Sequence, residues 1–110
     1  MKNQITNYLL DHGIKPHYKG FNYAVSAIQI IIQADTYLPI KSVYTMVSKE
    51  YGVSWQCVER CIRTLIEASW RTKMPIRYIP EKPTNAEFIM DAATHIKLLL
   101  NGGDEATPSA

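Results

Sequence analysis

Long hydrophobic runs are missing from this 110-residue chain; Ile30, Ile31 and Ile32 form a typical one, and no segment is long enough to span a bilayer. The start, MKNQITNY, is polar and carries no signal-peptide core, so the expected location is the cytoplasm, with no membrane partner. Cysteine is scarce. Cys57 and Cys61 are the only two, four positions apart in one expected helix, a spacing that suits neighbouring core thiols in a reducing compartment better than a structural disulfide. His12, His17 and His95 are scattered and the cysteines lack the usual partner pair, so no metal ligand and no cofactor is expected. There is no glycine-rich phosphate loop, nucleophile elbow or HExxH, and nothing in the sequence sets a histidine beside a thiol. No catalytic residue is expected and the chain is not read as an enzyme. Charge of one sign is also lacking: a net +2 is too small to argue for nucleic acid by itself.

The length is one domain's worth, and 46% apolar with 20% charged residues is ordinary for a globular protein able to bury its own core. The distribution of charge says more than its sum. Between Lys41 and Lys82, eight basic residues face four acids, a local excess of +4. No internal repeat is present.

Helical signals run along the chain. Ile5, Tyr8 and Leu9 predict a short first helix ending near His12, with Gly13 as its stop. A connector broken by Pro16 follows. From about Phe21 to Thr36, the spacing of Tyr23, Ala24, Ala27, Ile28, Ile31 and Ile32 predicts a central core helix. Pro39 opens a third helix with Val43, Tyr44, Val47 and Tyr51 inward, and Gly52 ends it. Ser54 is placed to cap a fourth helix, which makes helix, tight turn, helix: the arrangement of a helix-turn-helix. After Trp70, RTKMPIRYIPEKP holds three prolines and predicts an extended basic loop. Thr84 with Glu87 forms a capping box for a last helix reaching Gly102. The expected fold is therefore all-α, a compact helical domain of about five helices over 1–101, with a disordered tail at 102–110.

The fourth helix, SWQCVERCIRTLIEASW, is two-faced. At about 100° per residue, Gln56, Glu59, Arg60, Arg63 and Glu67 share one front, while Val58, Cys61, Ile62 and Leu65 line the back and Ile66 flanks it. Arginine can donate two parallel hydrogen bonds to guanine, glutamate can accept from cytosine and glutamine can pair with adenine, so such a front suits base reading. The plainer alternative is a surface network in which Glu59 pairs with Arg63, worth a few tenths of a kcal/mol. Trp55 either lies against a sugar-phosphate backbone or closes the core, with the core favoured. Trp70 is expected to pack.

HYKGFNYAVSAI, KSVYTMVSKEYGVS, VERCIRTLIEASW and KPTNAEFI, in that order, resemble the C-terminal DNA-binding domain of the sporulation initiation response regulator, stage zero sporulation protein A, over residues 5 to 100. The resemblance implies an all-helical domain with a helix-turn-helix that binds double-stranded DNA in tandem copies. Its recognition helix would run from Ser54 to Trp70 and its supporting helix from Pro39 to Tyr51. Glu59, Arg60 and Arg63 match family positions that face DNA, whereas Gln56 and Cys57 stand where the family has serine and arginine. The expected base contacts are Gln56, Glu59, Arg60 and Arg63; the expected phosphate contacts are Lys19, Lys41, Lys49 and Ser54.

Two departures bear on regulation. Met1 lies a few residues before the region of resemblance, so no receiver domain is expected. The segment between Trp70 and KPTN is shorter than the family's, which there contacts RNA polymerase sigma factor, so that contact does not carry over and action by occupancy of DNA is expected. The sequence reading is thus a sequence-specific DNA-binding transcriptional regulator, with a protein-interaction module or antagonist that keeps the fold without DNA binding as the alternative.

Overall fold

The computed structural model describes the backbone of residues 1–71 and 81–106, and side chains as far as residue 101. Five helices account for the regular structure among the described residues: α1 (Lys2–Asp11), α2 (Lys19–Gln33), α3 (Ile40–Tyr51), α4 (Trp55–Arg71) and α5 (Asn85–Ala106). The all-α expectation is met, and no described helix is long and apolar enough to cross a membrane.

α2 is the hub, in contact with each of the other four helices. Its first turns are buried on nearly every side, from Gly20 and Phe21 through Tyr23–Ile28, leaving only Asn22 in that stretch exposed. Ile5 and Leu9 of α1, Val43 and Val47 of α3, Val58, Ile62 and Leu65 of α4, and Ile89 and Ile96 of α5 are all fully buried in the same cluster. The period of buried positions in α4 is the one its sequence spells out. α2 begins at Lys19 and ends at Gln33, earlier at both ends than the expected Phe21 and Thr36, because Ala34 turns extended with ψ 140°. Ile30, Ile31 and Ile32 are then only half-buried, near the C-terminal end of the hub.

Helix boundaries follow local chemistry. Gly13, with φ 76°, lets the Ile14 N–H reach back to the Leu9 carbonyl at 3.0 Å and closes α1, which puts Ile14 in the core beside Leu9. Gly52 adopts the left-handed conformation at φ 68° and ψ 35°, and the Val53 N–H donates to Ser48 O at 3.1 Å. That reversal turns α3 into α4 within Gly52, Val53 and Ser54. Pro39 precedes the first turn of α3 as its cap residue rather than lying inside it. Ser54 Oγ accepts the Cys57 N–H at 3.1 Å, as its position predicts.

The capping box is formed in both directions: Glu87 N–H donates to Thr84 Oγ1 at 3.1 Å, and Thr84 N–H donates to Glu87 Oε1 at 2.9 Å. Thr84→Ala removes one half and is expected to cost about 0.5–2 kcal/mol, read from the denaturant midpoint. α5 continues past the expected stop at Gly102 to Ala106. Glycine inside a helix costs about 1 kcal/mol relative to alanine but breaks no hydrogen bond, so it need not end one. The remainder of the expected tail, 107–110, and the basic, proline-broken segment 72–80 lie outside the described residues.

One aromatic placement differs from expectation. Tyr51, expected inward, is 38% exposed; its ring meets Tyr23 edge-on at 5.0 Å and its hydroxyl is 3.1 Å from Ser26 Oγ. Trp55 is half-buried against the core, and its outer face carries the Lys41 ammonium.

Candidate nucleic-acid interface

The back of α4 is fixed by burial, so its front is fixed too. Val58, Ile62 and Leu65 are inaccessible and Ile66 nearly so, which forces Gln56, Arg60, Arg63 and Glu67 outward and leaves Glu59 half-buried at the edge. The four expected base-reading residues therefore share one solvent-facing strip, and α3 supports the helix from behind.

Within the strip the side chains are not equivalent. Arg63 Nη1 donates to both carboxylate oxygens of Glu59, at 2.7 and 2.9 Å, so these two form the pair that i,i+4 spacing allows. Arg60 has no ion-pair partner among the described residues; it borders a cleft of about 180 Å³ with Tyr18, Lys19, Gly20, Cys61 and Thr64. The N-terminus of α2 thus brings Lys19 to the same side as Arg60. Gln56 is exposed in the first turn of α4.

The expected phosphate contacts separate into two groups. Lys41 holds its ammonium 4.8 Å from the Trp55 ring centroid, a cation–π contact worth about 0.5–1 kcal/mol at an exposed site, and so places a cation beside the positive end of α4. Ser54, at that same end, uses its oxygen as acceptor for Cys57 N–H, and its hydroxyl has no acceptor among the described residues. Lys19 lies at the first residue of α2 and Lys49 in the last turn of α3, both exposed. Lys19 is thus grouped with Arg60, Lys41 with Ser54, and Lys49 stands at the far end of α3.

Three contributors escaped the sequence. Asn85 Nδ2 donates to the backbone carbonyl of Glu59 at 3.0 Å across 26 positions, pinning the start of α5 against the middle of α4. Tyr44, behind them, has its hydroxyl pKa pushed up by burial, an effect partly offset by its hydrogen bond to Asn85 and reinforced by the charge of Glu59. Lys82 Nζ donates to Glu67 Oε2 at 2.8 Å, and this bond with the lysine charge lowers the Glu67 carboxyl pKa. The Lys82–Asn85 segment was visible only as the motif KPTN; nothing local in it foretells where on α4 it lands. Together with Pro83 and Thr84 it walls a cleft against Glu59, Arg63 and Glu67.

The cysteines are half-buried rather than core, on the flank of α4 that faces α2. Burial raises the Cys61 thiol pKa, helped by its hydrogen bond with Cys57, while Lys19 and Arg60 pull it the other way. Among the described residues no three His, Cys, Asp or Glu side chains cluster as metal ligands. The front of α4 is therefore a strip of alternating donors and acceptors flanked by cations, suited to a surface that presents both polar edges and negative charge. Residues 5–96 match the family model described as "Sporulation initiation factor Spo0A C terminal".

Proposed function

Because the chain belongs to the family of the Spo0A C-terminal domain, a DNA-binding domain of transcription regulation in sporulation, we propose that it binds double-stranded DNA sequence-specifically through a helix-turn-helix made of α3 and α4. The observation that carries this is the exposed strip Gln56, Glu59, Arg60 and Arg63 on a helix whose opposite face is wholly buried. α4 enters the major groove as recognition helix and α3 lies across the backbone. Arg60 and Arg63 donate to guanine, Glu59 accepts from cytosine and Gln56 pairs with adenine. Lys19, Lys41, Lys49 and Ser54 meet phosphates, which fix register without reading sequence. On DNA, copies sit in tandem.

A protein that keeps this fold as an antagonist without DNA binding would leave Glu59 and Arg63 as a surface pair and nothing more. A salt series separates the two. Each neutralised phosphate contributes about −0.9 to the slope of log affinity against log salt, so with roughly four to six contacts the slope is expected at about −4 to −5. Fluorescence anisotropy on a site selected from a random DNA pool gives the value; a flat slope, or no binding at low salt, rejects DNA binding. Lys49→Ala is expected to weaken selected and random DNA alike.

A further inference from the structure

Cys57 and Cys61 take no part in the proposed DNA contacts, yet they form a matched pair. They are one helical turn apart on α4, both free, half-buried and packed against the core. Cys61 opens onto the cleft of about 180 Å³ between Tyr18, Lys19, Gly20, Arg60 and Thr64. From this juxtaposition we infer that the pair is a dithiol site on α4 that captures a neutral trivalent arsenical, whose organic group occupies the cleft.

Two physical points select that ligand class. Side chains at i and i+4 of an α-helix hold their Cβ atoms about 5–6 Å apart, whereas a disulfide needs about 3.5–4.5 Å. The pair cannot close directly on itself while α4 stays helical, but a bridge longer by one atom fits. The second point is charge. Lys19 and Arg60 border the cleft and, among the described residues, no third ligand is clustered with the thiols, which disfavours a divalent cation needing several ligands. A trivalent arsenic centre needs only two sulfurs. With an aryl arsenoxide, two S–H bonds and the arsenic–oxygen bond break, two As–S bonds form, and one water leaves; arsenic stays trivalent, no oxidant is consumed, and the product is uncharged.

The probe is phenylarsine oxide added in slight excess to the native full chain, followed by native mass spectrometry. Because these are the only two cysteines, the expected product is a single arylarsenic per chain, retained through washing with excess glutathione and removed by dithiothreitol. Cys57→Ser and Cys61→Ser are each expected to lose the glutathione-resistant adduct completely, with Cys→Ala at the same positions replacing any serine variant whose helical circular dichroism is altered. Diamide treatment of the folded protein is expected to leave the two thiols uncrosslinked. Loss of the wild-type adduct to glutathione, its retention by either single variant, or a ready intramolecular disulfide in the folded chain overturns the site. None of these readouts depends on DNA binding.

Discussion

Gly20→Ala is expected to lower the stability of the domain by about 3 kcal/mol, the upper end of what overpacking costs, and to weaken DNA binding with it. A Cβ at position 20 would lie 2.3 Å from the carbonyl oxygen of Cys61, 2.7 Å from its carbonyl carbon and 3.2 Å from the Cα of Ile62. These are backbone atoms in the middle of α4, so no side-chain rotation relieves the overlap. The two helices must separate, and they do so at the contact that ties the hub to the front-bearing helix. Ile62, fully buried beside the overlap, would lose packing as they part. Alanine's better helix propensity returns at most about 1 kcal/mol. Urea unfolding gives the stability loss, and anisotropy on the selected site gives the affinity. A variant as stable as the parent would mean that the first turn of α2 swings aside at no cost, and that the close approach of α2 to α4 does not position α4.

That glycine marks the boundary of what the sequence disclosed. Near the start of a helix, glycine looks neutral, and its necessity comes from Cys61 and Ile62, some forty positions away and brought near only by packing. The caps, by contrast, are short-range chemistry. Ser54 with Cys57, Thr84 with Glu87, and Gly52 with Ser48 each act within a few residues, and the structure has all three where local rules place them. The strip on α4 was legible for a related reason: a 3.6-residue period fixes which side chains share a face once one face is apolar. What flanks the strip was not. Asn85 on the Glu59 carbonyl, Lys82 on Glu67 and Lys41 above Trp55 all depend on how helices meet, and lysine or asparagine on an exposed surface carries no signal of its target. Helix ends governed by a single backbone torsion were misplaced, as at Gln33, and so was the end assigned to Gly102, where glycine only weakens a helix. The half-burial of the cysteines has the same origin: the period puts them toward the back of α4, and only the crossing with α2 decides how much of each thiol is covered.

The largest effects on recognition are expected from Arg60 and Arg63, and the structure makes the two arginines unequal. Each substitution to alanine that removes a bidentate guanine contact costs about 1–3 kcal/mol of specific affinity and relaxes preference at one base position. Arg60 has no ion-pair partner among the described residues, so Arg60→Ala removes a contact without stranding an opposite charge there. Arg63 neutralises Glu59, with Nη1 at 2.7 and 2.9 Å from its two oxygens. Arg63→Ala therefore strips the contact and also turns an unpaired carboxylate toward a polyanion, which places its cost above that of Arg60→Ala and steepens its dependence on low salt. Adding Glu59→Ala to Arg63→Ala removes the unpaired carboxylate and is expected to recover part of the loss, while forfeiting any preference for cytosine that Glu59 is proposed to confer. The Arg60→Ala/Arg63→Ala double variant, losing both donors, should bind selected and random DNA with nearly the same affinity. Anisotropy titrations on the selected site and on single-base variants of it give all four values, with circular dichroism confirming that α4 remains helical in each. If Arg63→Ala and Arg60→Ala weaken every DNA sequence to the same degree, the arginines are backbone contacts. If Glu59→Ala fails to rescue Arg63→Ala, the Glu59–Arg63 pair is a feature of the free surface with no part in reading DNA.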